Sequence, residues 1–138
     1  MTSTDPTTAD LSAAMFEADN ASRALGIQVI DIGPGHATAQ MTITDAMING
    51  HGITHGGYVF LLADTTFALA CNSHNHPAVA ARADIRYIRP TRTGAHLTAV
   101  AVERARFGRS GIYDVAITDE HGNPIAEFRG DSRLKPAV

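Results

Sequence analysis

The chain has 138 residues, 44 % hydrophobic and 18 % charged, which suits one globular domain with enough apolar material for a core and argues against a second. A formal charge of −3 and an isoelectric point near 6.1 exclude a general attraction to nucleic acid or to an anionic membrane, so a small-molecule ligand is the expected partner. The N-terminus MTSTDPTTAD has neither the basic patch nor the apolar run of a secretion signal, no segment reaches membrane-span length, and Cys71 has no partner for a disulfide, so a soluble cytoplasmic protein is expected.

Residues 1–8 read as a disordered tail ahead of a single domain over residues 9–138. Asp10 is placed to cap a helix running through Arg23, with Leu11, Met15 and Leu25 on its apolar stripe and Gly26 at its end. Strands follow over 27–32 and 37–43, parted by Gly33, Pro34 and Gly35. In the second, Ala37, Ala39, Met41 and Ile43 alternate with Thr38, Gln40 and Thr42, the mark of a strand with one polar face.

Residues 57–71 form an almost wholly apolar helix, which must be covered on most sides and so forms the centre of the domain. Beyond Pro77 come four strand-like runs, 78–88, 96–106, 112–118 and 125–132, divided by Gly94, Gly108, Gly111 and the turn His121-Gly122-Asn123, and read as consecutive hairpins. The order αββαββββ predicts an α+β fold: one curved antiparallel sheet wrapped around a long central helix.

The chemistry is concentrated at the start of that helix. Gly50, Gly52, Gly56 and Gly57 surround His51 and His55, leaving a backbone that a ligand can approach closely. The first N–H groups of a helix lack internal partners and lie at the positive end of its dipole, so the Gly57 N–H is half of an oxyanion hole. Seven residues on stands Asp64, among Leu61, Leu62, Ala63, Phe67 and Ala68. Burying a carboxylate costs several kcal/mol unless it is paired, hydrogen-bonded or protonated, which marks Asp64 for chemistry rather than for packing alone.

The segments NGHGITHGG and LADTTFALACNS resemble the hotdog-fold thioesterases, and within them the phenylacetic-acid-pathway group that cleaves acyl-coenzyme A thioesters. The likeness runs from about Ala24 to Leu134 and includes VAARADIRYIRP and YDVAITDEHGNPIAEFRGDSR. The resemblance implies a hotdog fold, hydrolysis of acyl-CoA of the phenylacetyl or hydroxyphenylacetyl type, no cofactor beyond the coenzyme A of the substrate, and dimers with shared sites paired into a homotetramer. It also implies that the Gly57 N–H polarises the thioester carbonyl, that His55 shapes the loop with Gly56, that Asn49 orients water or thioester, and that Asp64 is base or nucleophile. Some relatives place a serine or threonine on the strand after the helix to hold water, whereas residues 78–81 here read AVAA.

At ~1.5 Å rise per residue, Gly57 and Asp64 are roughly 10 Å apart along one helix. A reacting atom must lie about 3 Å from both donor and attacking group, so Asp64 is expected to act with Gly57 of another subunit. Phe60, Phe67 and Met47 are the apolar residues placed to line an acyl pocket. Ten of the eleven basic residues are arginine, and Arg106, Arg109 and Arg129 near strand ends are the candidates to meet coenzyme A phosphates. Arg82 and Arg86 flank Asp84 on one strand face and read as a cross-strand charge pattern. His51 and His55 share a zinc-like spacing, but the glycines between them disfavour a helix there, so no metal site is expected; His74 and His76 read as a solvated loop, and Cys71 as core. The competing functions are a non-catalytic acyl-CoA sensor, against which a buried acid argues, and a hotdog hydratase or dehydratase.

Overall fold

The computed structural model describes residues 10–136; the tail predicted over residues 1–8 lies outside them. In chain order the elements are α1 (Asp10–Glu17), α2 (Asn20–Ala24), β1 (Gln28–Gly33), β2 (His36–Thr42), a 3₁₀ turn (Asp45–Met47), α3 (Gly56–Cys71), β3 (Ala78–Tyr87), β4 (His96–Phe107), β5 (Ser110–Thr118) and β6 (Pro124–Leu134).

The single N-terminal helix expected from Asp10 through Arg23 is two short helices. Asp19 intervenes and caps the second, its carboxylate accepting from Ser22 N at 2.9 Å and from Ser22 Oγ at 2.6 Å. An aspartate side chain that can satisfy an orphan backbone N–H competes with helix continuation, and here it wins. Gly26 ends this region at φ +74°, as expected of glycine after a helix. Both short helices dock on α3 through hydroxyls: Ser12 Oγ donates to the Leu69 carbonyl at 2.7 Å, and Ser22 Oγ pairs with Thr65 Oγ1 at 2.7 Å.

The six strands form one antiparallel sheet in the order β1-β2-β4-β5-β6-β3. The β4–β5 and β5–β6 hairpins agree with the sequence reading, but β3 does not pair with β4. It pairs with β6, Ala78 lying opposite Leu134 and Tyr87 opposite Ala126, and so forms the far edge. The reason is the segment 88–95, whose backbone groups bond to Ile125, Thr54 and Ile43 in turn as it crosses the sheet at the N-terminal end of α3. These partners carry the chain from one side of the sheet to the other, which a tight turn cannot do.

The sheet curls around α3, with an extra residue bulging from β1, β3, β4 and β6, irregularities of the kind that bend and twist strands. Its inner face supplies Ala37, Ala39, Met41, Leu97, Ala99, Ala101, Tyr113, Val115, Ile117 and Phe128, all buried. From the helix, Val59, Leu62, Ala63, Phe67, Leu69 and Ala70 meet them. Each fully buried Leu or Phe contributes about 1.5–3 kcal/mol. At Gly130 the sheet leaves room for the helix, since an added Cβ there would lie 2.8 Å from the Phe67 ring. One stripe of α3 escapes this cover: Gly57 is exposed and Phe60, Leu61, Asp64 and Ala68 are only half-buried.

Candidate active site

The glycine-histidine loop is held by Asn49. Its backbone N–H donates to the Ile53 carbonyl at 2.8 Å, and Oδ1 accepts from His51 N at 2.9 Å and from Ile53 N at 3.3 Å. Gly52 closes the turn at φ +78°, where a side chain would be strained. With Oδ1 committed to the loop, Asn49 has its amide NH2 left to offer a ligand.

The turn into α3 is set by His55, whose backbone N–H donates to the Met47 carbonyl at 2.7 Å. Its ring is the helix cap: Nδ1 accepts the Gly57 N–H at 2.9 Å. This corrects the sequence expectation that the Gly57 N–H stands free. The uncommitted donor at the helix start is one residue earlier, since the Gly56 N–H makes no hydrogen bond among the described residues. An Nδ1 that accepts places the neutral ring's proton on Nε2. From β3, Tyr87 reaches the same peptide unit, its hydroxyl donating to the Gly56 carbonyl at 2.9 Å.

Asp64 lies two turns further along, on the uncovered stripe. Partial burial, and secondly the negative charge of Asp19, hold its carboxyl above the ordinary aspartate range. Asp19 is linked to the helix beside it through Ser22 and Thr65. A carboxyl raised in this way is a better proton acceptor when ionised than one in free solution. Asp19 and Tyr87 were both missed in the sequence: the cap signal of Asp19 was present in its neighbourhood with Ser22, whereas nothing in the order of residues announces Tyr87.

A cleft of about 370 Å³ opens beside the N-terminus of α3, lined by Asn49, Thr54, Gly56, Val59, Tyr87, Ile88, Thr91 and Ile125 among others. The structure thus brings together Asn49, His55, Gly56 and Gly57, and it leaves Asp64 outside this cleft on the same helix. Phe60 is half-buried, edge-on to Phe128 with centroids 5.4 Å apart, and does not line this cleft. Phe67 and Met47 do not line a pocket. At 1 % and 2 % exposure they are core, Phe67 packing against Tyr113 and Phe128.

The three arginines separate. Arg129 lies on the outer sheet face, where Nε and Nη2 form a two-pronged pair with Asp114 at 2.6 and 2.9 Å, so its guanidinium is already engaged. The register also sets Arg82, Asp84 and Arg86 opposite Asp131, Arg129 and Glu127, the alternating charge pattern foreseen for that face. Arg106 and Arg109 line a second pocket, of about 290 Å³, at the opposite end of α3. Arg106 Nε is 3.4 Å from Glu103, and Arg109 donates to the Leu134 carbonyl at 2.7 Å. His74 is not a solvated loop residue, because its Nε2 meets Glu103 Oε1 at 2.8 Å, where the buried Tyr113 hydroxyl also donates. Cys71 is buried as core, and burial pushes its thiol up to about 12.

Comparison with known proteins adds to this geometry. The family model described as the thioesterase superfamily matches residues 51–126. The acyl-coenzyme A thioesterase PaaI of Escherichia coli is 44 % identical over 119 residues, covering 86 % of this chain and 85 % of its own length. The human acyl-coenzyme A thioesterase 13 is 31 % identical over 104 residues, covering 73 % and 74 % of the two chains. The solved E. coli PaaI protein of the phenylacetic acid degradation operon superposes with a TM-score of 0.91 at 42 % identity, covering 95 % of this chain and 96 % of that one. A variant of the phenylacetic acid degradation protein PaaI from Thermus thermophilus superposes at 0.81 and 36 % identity, covering 86 % and 100 %.

Proposed function

The chain belongs to the thioesterase superfamily and is an acyl-CoA thioesterase of hotdog fold, and we propose that its substrates are thioesters of the phenylacetyl-CoA or hydroxyphenylacetyl-CoA type. The observation that supports the chemistry best is one helix carrying both halves of a hydrolytic site, uncommitted N–H at its start and a half-buried, proton-hungry Asp64 on its open stripe. The acyl class draws its support from the phenylacetic acid degradation proteins that the chain resembles.

In this reading the thioester oxygen binds at the Gly56 N–H and takes the Gly57 N–H as the His55 ring yields it. Water attacks the carbonyl carbon while Asp64 accepts its proton, and negative charge develops on the oxygen held by the helix N-terminus. The tetrahedral intermediate collapses with cleavage of the C–S bond, the leaving thiolate recovers a proton, and the free acid and coenzyme A depart. The Asn49 amide, as a donor, orients water or thioester. A covalent variant has Asp64 attack directly, forming an anhydride that water opens. Label found in the Asp64 carboxylate after single turnover in H₂¹⁸O would establish the covalent route with water opening the anhydride at the Asp64 carbonyl. Coenzyme A enters as part of the substrate, and no further cofactor takes part.

The roughly 10 Å between Gly57 and Asp64 along α3 supports a site shared between two subunits. Support comes from the uncovered stripe of α3 and from β3, an edge strand of ten residues that exposes Val79 and Tyr87 and offers a second copy unpaired backbone groups. The proposal is a dimer with shared sites, paired again into a tetramer, acting in the cytoplasm.

The test is thiol release from aryl-acetyl, benzoyl and straight-chain acyl-CoA thioesters by wild type and Asp64→Asn. Preferred release from the aryl-acetyl donors, abolished in the variant, is the expected result. Equal rates on straight chains overturn the acyl assignment, and an undiminished Asp64→Asn rate overturns the site.

A further inference from the structure

Tyr87 is the last residue of β3, and its ring lies on Gly56 across 31 positions of sequence. Its hydroxyl donates to the Gly56 carbonyl at 2.9 Å, while the N–H at the other end of that same peptide unit, belonging to Gly57, donates to His55 Nδ1 at 2.9 Å. One amide is therefore held at both its polar ends by side chains from two different elements. The contact depends on the missing side chain at position 56: a Cβ there would lie 2.9 Å from Tyr87 Cζ and 3.0 Å from its oxygen. Within the single chain packing does not explain the arrangement, since Tyr87 is 55 % exposed there, and cover by a second copy along β3 would bury the ring without requiring its hydroxyl to meet the Gly56 carbonyl.

A hydrogen bond accepted by an amide carbonyl draws electron density toward oxygen and makes the amide N–H a stronger donor, the cooperative effect of linked hydrogen bonds. It also fixes the plane of the peptide, hence the direction in which that N–H points. We propose that Tyr87 is a positioning residue for thioester hydrolysis, holding and polarising the Gly56–Gly57 peptide so that its N–H, once His55 Nδ1 yields it, stabilises the developing oxyanion. The inference rests on the proposed role of this helix start as the carbonyl-polarising site, and it adds a residue from the edge strand that does not itself react. Desolvation against Gly56 raises the phenol's pKa above its ordinary value, so the hydroxyl stays protonated and able to donate throughout the neutral range.

The test compares wild type, Tyr87→Phe, Asp64→Asn and a protein with 3-fluorotyrosine at position 87 on the best acyl-CoA thioester at neutral pH. Phenylalanine keeps the ring on Gly56 and removes the donor, while the fluorinated ring has a more acidic hydroxyl. The expected result is a loss of roughly three- to tenfold in kcat for Tyr87→Phe, with KM within about twofold and an unchanged unfolding midpoint. The fluorinated protein should work at or above the wild-type rate. A loss confined to KM, a loss that tracks a lowered unfolding midpoint, or an unchanged kcat overturns the inference. Turnover that survives Asp64→Asn instead overturns the reading of the site on which it rests, so the two failures are distinguishable.

Discussion

His55 Nδ1 accepts the Gly57 N–H at 2.9 Å, so the helix start proposed to receive substrate is capped by the residue immediately before it. A side-chain cap on an orphan N–H is worth about 1 kcal/mol. His55→Ala should therefore lower the stability of the fold by about that amount, read as a reduced urea midpoint with unchanged slope. His55→Asn, which restores a short side-chain acceptor, should recover most of the loss. Equal midpoints for alanine and wild type would show that the ring contributes no cap in solution.

The reactivity proposed for Asp64 comes with a stability cost. A carboxyl whose folded-state pKa lies above its unfolded value contributes stability that is fully present below the unfolded value and is lost as pH rises through the folded one. Burial and Asp19 raise Asp64 in this sense, so its ionised form disfavours the folded state at neutral pH. Asp64→Asn should be inactive yet more resistant to urea than wild type at pH 8, and that advantage should shrink as pH falls into the range where the wild-type carboxyl takes up its proton. A variant less stable than wild type at pH 8 would mean that the charged carboxylate is compensated by a partner.

Asp19 gives a separate handle on the same group. Asparagine is an equally good helix cap, so Asp19→Asn keeps the bond from Ser22 N, removes the charge, and puts an amide NH2 where the second oxygen accepts from Ser22 Oγ. Because that charge raises the Asp64 pKa, the acid limb of kcat/KM should move to lower pH while the plateau changes little. No displacement, or one toward higher pH, would show that Asp19 does not act on the Asp64 carboxyl.

The sheet was legible wherever one face is buried. In β2 the alternation of Ala37, Ala39 and Met41 with polar residues foretold the face observed, and Gly26 and Gly122 punctuate the chain at positive φ as their positions suggested. The place of β3 was not legible, because local alternation reports which face of a strand is buried and carries nothing about its neighbour. That neighbour is chosen by the crossing segment 88–95 and its bonds to Ile125, Thr54 and Ile43. The site shows the same division. The apolar run around Asp64 and the glycines around His55 marked the region, but the His55 cap, the hold of Tyr87 on Gly56 and the proximity of Asp19 arise from contacts between elements. Arg129 looked available in sequence because its partner, Asp114, lies across the β5–β6 ladder.

Asn49 commits one of its two side-chain polar atoms to the loop. Oδ1 accepts from His51 N and Ile53 N, leaving the amide NH2 as the group that can orient substrate. Asn49→Asp preserves both loop bonds and replaces that donor with a second acceptor of negative charge. The unfolding midpoint should be close to wild type, and kcat should fall by roughly 10²-fold, the scale for losing one positioned donor in a site of this kind. If turnover persists, the Asn49 side chain serves the loop alone.

The shared site can be tested by mixing two subunits that fail for different reasons. Asp64→Asn removes the base, and Gly57→Pro removes an N–H from the helix start, at a first-turn position where proline is tolerated. If the oxyanion donors of one subunit work with Asp64 of the other, a mixed dimer contains one site with both lesions and one with neither. Refolding the two variants together in equal amounts makes about half of the dimers mixed, each with one intact site of two. Activity should therefore recover to roughly a quarter of wild type, with native mass spectrometry confirming the mixed species. A site built within one chain predicts no recovery, since each subunit would keep its own lesion whatever its partner, and confirmed mixed dimers without turnover would overturn the shared arrangement.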